Sequence, residues 1–161
     1  MKTTSILISG LGALLVTGCA STRQFVPLPD QAQRIQDASK GRIYVMRPAG
    51  VGTAISMNVS DSGKPIGSTG AHGYLCWERE PGDTIITSTS EGASKAPLSV
   101  QPGSVHYIFQ HVRMGLLMAR SELEVLDEQK GLKILKKCHP PKVEPPPPSA
   151  VAASVETIEK K

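Results

Sequence analysis

Side chains able to do chemistry are sparse in this 161-residue chain: three cysteines, four histidines and fourteen carboxylates. His106 and His111 lie five apart on Val105 to Met114, a stretch that reads as one strand. Odd spacing on a strand sends side chains to opposite faces, so the two are poor co-ligands for one metal. Cys138 stands beside His139 and could share a metal with Cys76, but no CxxC or HxxxH spacing supports a site. The expectation is no metal and no cofactor. Glu78 and Glu80 share a strand face, as an acid/base pair would, yet carboxylates so placed more simply solvate a surface. No GxSxG turn or Walker A loop occurs. Gly63, Gly82 and Gly103 read as turn residues. The chain is therefore expected not to be an enzyme and to have no catalytic residues.

Cys19 is the exception. Lys2 gives a short positive start, and Ile6 to Val16 (ILISGLGALLV) is an apolar run of eleven residues. A bilayer-spanning helix needs roughly 20, so the run fits the core of a secretory signal instead. Val16-Thr17-Gly18-Cys19 follows: an aliphatic residue, two small ones and a cysteine. The succession resembles the lipobox of bacterial lipoproteins. That resemblance implies cleavage between Gly18 and Cys19, diacylglyceryl transfer to the Cys19 thiol and acylation of the new amino group. Several acyl chains hold a protein on a membrane firmly, where one binds reversibly. Ala20 in place of aspartate implies the outer membrane of a two-membrane envelope, with the protein facing the periplasm.

Loss of residues 1–18 leaves one domain plus tails. Aromatic residues make up 4% of the chain, against 15 glycines and 13 prolines, which favours a small, turn-rich β core. The charge of +4 is carried by no cluster of basic and aromatic residues, so no nucleic-acid partner is expected. With Cys19 given to lipid, Cys76 and Cys138 remain. In an oxidising compartment they either pair as a disulfide, tying the C-terminal segment back to the middle of the domain, or stay free with Cys76 as a small buried hydrophobe. Geometry decides between the two.

These residues must be positioned by a domain spanning residues 41–138. Residues 19–40, with Pro27 and Pro29, read as a lipidated tether containing one short helix between Asp30 and Ser39. Residues 139–161, with the Pro145–Pro148 run, read as a disordered polyproline-rich tail. Inside the domain, strands are expected at Gly41 to Arg47, around Ile55, Met57 and Val59, and at Gly73 to Arg79, Thr84 to Ser90, Leu98 to Val100, Val105 to Met114 and in the Ser121 to Leu126 region. A hairpin turn falls at Asp61-Ser62-Gly63-Lys64, and Asp127 caps a final short helix. The fold expected is all-β: a small antiparallel sandwich or partial barrel of about seven strands, with a short C-terminal helix and disordered tails. Trp77, the single tryptophan, is either plain core or, exposed with Tyr74, an anchor for an interface.

Arg42-Ile43-Tyr44-Val45-Met46-Arg47-Pro48, then Asp61 to Gly67 (DSGKPIG), Gly73-Tyr74, Pro81-Gly82-Asp83 and Pro102 to Tyr107 (PGSVHY) occur in an order that resembles a family of small bacterial lipoproteins known as domain of unknown function 2846. The resemblance covers 85–100 residues of the chain. It implies a β-sandwich in the cell envelope and carries over no activity. Three readings follow: a protein-binding or scaffold module of an envelope assembly, membrane-held through Cys19; a spacer joining outer membrane and peptidoglycan through the proline tail and terminal lysines; and an enzyme, which would need a polar pocket with perturbed acids or histidines.

Overall fold

The computed structural model describes residues 21–48, 53–117 and 119–146. The expected signal sequence, Gly18, Cys19 and the Pro147–Pro148 end of the proline run lie outside the described residues. Among the described residues, ten strands and one helix run in the order β1 (Arg23–Gln24), β2 (Gly41–Arg47), β3 (Met57–Asp61), β4 (Lys64–Thr69), β5 (Gly73–Arg79), β6 (Gly82–Thr89), β7 (Ala93–Val100), β8 (Val105–Met114), β9 (Ala119–Leu126), α1 (Glu128–Leu135) and β10 (Lys142–Val143). One sheet has the order β10-β1-β4-β3-β6-β7 and the other β5-β2-β8-β9. The protein is a small β-sandwich without a closed barrel. Its sheets are mixed rather than purely antiparallel, because β2 pairs β8 and β1 pairs β10 in parallel.

Strand β2 is buried along its whole length, a pattern that one sheet-on-sheet contact cannot produce. Its side chains alternate between two cores. Ile43 and Val45 face the six-stranded sheet, together with Leu75 and Trp77 of β5 and Ile108 of β8. Tyr44 and Met46 face the other way, with Tyr74, Cys76 and Tyr107, under a cover made by Leu28, Ile134 and Leu135. The four-stranded sheet is thus a middle layer. Each large apolar side chain buried contributes roughly 1.5–3 kcal/mol, so the cover belongs to the domain's own stability.

That corrects the expected boundaries. Residues 21–40 do not form a free tether: β1 sits between β4 and β10, Gln24 is fully buried, and its side-chain amide donates to the Cys76 carbonyl oxygen at 2.7 Å. Two glycines make the room. A Cβ on Gly67 would stand 2.3 Å from the Arg23 oxygen, and one on Gly73 would stand 1.7 Å from Thr22 Oγ1. Asp30 to Ser39 forms turns and bends rather than a helix. The C-terminal segment is not a tail directly after Cys138 either. The His139 backbone bonds to His72 and Tyr74, and β10 follows.

Local signals are realised as expected. Ser62 and Gly63, with φ of 47° and 86°, make the two-residue β3–β4 turn, and both positions need positive φ in such a hairpin. Asp127 caps α1 by accepting from the Lys130 N–H at 2.9 Å. The helix lies on Tyr107 through Gly131, where a Cβ would come within 2.2 Å of the ring.

Candidate functional site

An open groove of about 840 Å³ runs along one side of the domain. One wall is the N-terminal segment from Val26 to Pro29, with Asp37 and Lys40. The other is the β3–β4 hairpin and the end of β5. Its floor is apolar, with Val26, Ile66 and Trp77, whereas Lys40, Lys64, Arg79 and Glu80 put both signs of charge on the rim.

Two of the carboxylates at the groove, Asp61 and Glu78, are occupied as hydrogen-bond acceptors. Asp61 Oδ2 accepts from Trp77 Nε1 at 2.9 Å, and Oδ1 accepts from Arg79 Nη1 at 2.7 Å and from the Thr84 hydroxyl. This knot joins β3, β5 and β6. Glu78 Oε1 accepts from Arg42 Nε at 3.0 Å, Arg42 Nη2 at 2.7 Å and the Gln36 N–H at 2.7 Å, while Oε2 accepts from the Asp37 N–H at 3.1 Å. Burial pushes the Glu78 carboxyl up, but the Gln36 N–H, the Arg42 guanidinium and the Asp37 N–H outweigh it, and the group rests below its ordinary value. Glu78 is therefore a clamp that fastens the N-terminal segment to β5, not a solvating surface charge. Glu80 lies past the end of β5 with Lys40 Nζ at 3.3 Å. The arrangement suits holding an extended chain: an apolar floor, a mixed-charge rim and walls fixed by ion pairs.

The other sequence candidates are scattered. Trp77 and Tyr74 are 4% and 7% exposed and point to opposite faces of β5. Neither is an exposed interface anchor, which corrects that expectation, although Trp77 forms part of the groove floor. Cys76 and Cys138 are free thiols. Cys76 pairs in register with Tyr44, while the Cys138 sulfur takes a hydrogen bond from the Arg47 backbone, three residues further along β2. At about 3.3 Å per residue the two sites stand roughly 10 Å apart along the strand, beyond the reach of a disulfide. Both thiols are pushed up to about 11, chiefly by burial. The C-terminal segment is tied back by the hydrogen bonds of His139 and β10 instead.

His106 and His111 lie on opposite faces of β8, His106 against Ser104 Oγ at 3.0 Å and His111 against Glu124 at 2.7 Å. Burial lowers the His106 pKa. No group of three or more ligating side chains able to hold a metal occurs among the described residues, and no described helix is long and apolar enough to cross a membrane.

Sequence reasoning missed the groove because it placed Val26 and Leu28 in a tether. No local pattern marks them: Val26 packs on the core between the sheets and Leu28 on the core beneath α1, so the two share no strand face.

A protein of Haemophilus influenzae described as an uncharacterized protein is 24% identical over 129 residues, which span 78% of this chain and 77% of that one. No solved structure matches the chain. Residues 37–122, more than half of the chain and running from just before β2 into β9, match the family described as protein of unknown function (DUF2846), and the chain belongs to that family.

Proposed function

We propose that this chain is a lipid-anchored protein of the bacterial envelope whose β domain binds another envelope protein. In this reading Cys19 carries the lipid, the domain faces the periplasm, and the groove between the Val26–Pro29 wall and the β3–β4 hairpin holds an extended segment of the partner. The domain is a binding module and not an enzyme.

The observation that carries the binding role is the groove itself. Its apolar floor would be covered by a partner's side chains, and its rim offers both Lys64 and Glu80 for charge pairing. Asp61 and Glu78 are already engaged in holding the walls, so the groove's chemistry favours shape and charge recognition over proton transfer. The anchoring role is supported by Val16-Thr17-Gly18-Cys19 behind its apolar run.

The test is in-cell photocrosslinking with a reactive residue at Lys64 on the groove rim, compared with one at exposed Lys95 on β7. A discrete protein adduct from position 64 and none from position 95 is expected. Equal, diffuse labelling from both positions would refute the groove as a binding site. Recovery of the protein covalently bound to sacculi would favour the spacer reading instead.

A further inference from the structure

We propose that the β8–β9 hairpin tip, Met114 to Leu117, is a second membrane contact that seats in the same bilayer as the lipid on Cys19. The proposal rests on the anchored reading for the identity of that bilayer, and on four observations of the folded domain.

The tip gathers the most exposed large apolar side chains among the described residues. Met114, Leu116 and Leu117 are 91%, 84% and 89% exposed, whereas Ile85, Val125, Leu132 and Val143 are each about half exposed and lie apart. Single apolar residues on a surface need no explanation, but a contiguous group marks a contact.

The tip projects beyond β2. Phe109 is the last residue of β8 paired with β2, and β8 continues to Met114 with β9 as its sheet partner. Five residues of strand amount to about 16 Å. On its other side the hairpin rests on β6 and β7, with Ser121 on Ser88 and Leu123 on Ser94, so the three apolar side chains stand exposed at an end of the sandwich.

The chain enters the domain at the same end, at Thr22. Strand β8 is parallel to β2, so the tip extends from the Arg47 end of β2. Arg47 pairs with Gly73, and Gly73 packs directly on Thr22. Thr22 follows Cys19 by three residues, which span at most about 10 Å. A lipid on Cys19 and an apolar tip at the same end of the sandwich can meet one membrane plane.

The base of the tip is a charge-paired collar. Arg113 binds Glu122 at 2.6 Å, Arg120 lies 3.8 Å from Glu91, and the Leu117 N–H donates to Glu91 Oε1 at 2.8 Å. The loop backbone is thereby held by the domain, and long arginine side chains stand where headgroups would meet the protein. Apolar residues outermost with charged residues behind them is the order an interface demands.

The experiment uses the mature lipidated protein reconstituted in vesicles of phosphatidylethanolamine and phosphatidylglycerol. An environment-sensitive fluorophore is placed on Leu117→Cys, with Ser99→Cys, on the β7 strand near the opposite end, as its comparison. Cys76 is buried, and the partly buried Cys138 is replaced by serine in both labelled chains. A blue-shifted emission at position 117, quenched by lipids carrying a shallow nitroxide, with position 99 remaining in water, is the expected result. The same label in a Met114→Ser/Leu116→Ser background is expected to lose the shift and the quenching, since each large apolar side chain is worth roughly tenfold or more in partitioning. Water-like emission at both positions would overturn the proposal. So would shielding at position 117 that appears only when an envelope extract is added, because a protein would then be the occupant. Intact mass reads lipidation separately. If Cys19 carries no lipid, the anchored reading fails on that measurement, and the tip is judged by titrating the same labelled chain with millimolar vesicles, where an unchanged spectrum refutes it.

Discussion

Replacing Glu78 by glutamine tests the clamp that joins the N-terminal segment to the sandwich. Arg42 is fully buried and the Glu78 side chain is 9% exposed, with 2.7 Å between Nη2 and Oε1. Glutamine keeps the shape but leaves the Arg42 cation with only neutral partners, the Gln33 carbonyl at 2.7 Å and the Tyr44 hydroxyl at 3.3 Å. Removing one member of a buried pair costs about 3–5 kcal/mol, most of it from the charge left behind. The assay is equilibrium urea unfolding of the chain without its first 18 residues, read as a shift in midpoint at constant slope. The companion variant Arg42→Met/Glu78→Leu removes both charges and is expected to recover most of the loss. A Glu78→Gln cost below about 1 kcal/mol, or a double variant no more stable than the single one, would refute the reasoning. The pH dependence follows from the same geometry. The folded-state value of Glu78 lies below its ordinary 4.5, so its contribution is complete above about pH 4.5 and is lost as pH falls through the lowered value. Glu78→Gln is expected to flatten that acid limb.

Further predictions use other parts of the fold. Gly131→Ala in an open helix would gain up to about 1 kcal/mol, but here the new methyl group meets the Tyr107 ring. Thermal unfolding is expected to show a loss of about 1–3 kcal/mol; a stabilised variant would remove α1 from its place on Tyr107. The buried Cys76 thiol, at about 11, is expected to resist an aromatic disulfide reagent at pH 8 and to react fully in denaturant, and rapid native labelling of Cys76 would contradict its burial. Trp77 is expected to emit in the blue and to be insensitive to iodide, while Trp77→Phe, which leaves Asp61 without that donor, is expected to cost about 1–3 kcal/mol in the same urea assay. A red, quenchable native emission would contradict its place in the core.

What the sequence revealed was local. Asp61-Ser62-Gly63-Lys64 announces its own turn because positive φ at two consecutive positions demands such residues. Asp127 announces the helix it caps for the same kind of reason. Non-local features were hidden. Arg42 looks like a surface residue until Glu78, 36 positions away, arrives beside it. Thr22 and Arg23 look like tether until Gly73 leaves room for the Thr22 side chain and Gly67 for the Arg23 carbonyl. The cysteine pairing failed on register, which no cysteine count contains. The groove was unreadable because one of its walls is that supposed tether. The apolar tip was visible as Met114-Gly115-Leu116-Leu117, but only its projection beyond β2 distinguishes it from one more buried segment.

The lipid anchor proposed on Cys19 is tested by the intact mass of the protein extracted from bacterial membranes, beside a Cys19→Ala chain. The expected polypeptide begins at Cys19 and carries a diacylglyceryl group with a further acyl chain, and it is absent from the variant. A polypeptide beginning at any other residue, or an unmodified Cys19, would contradict the anchor.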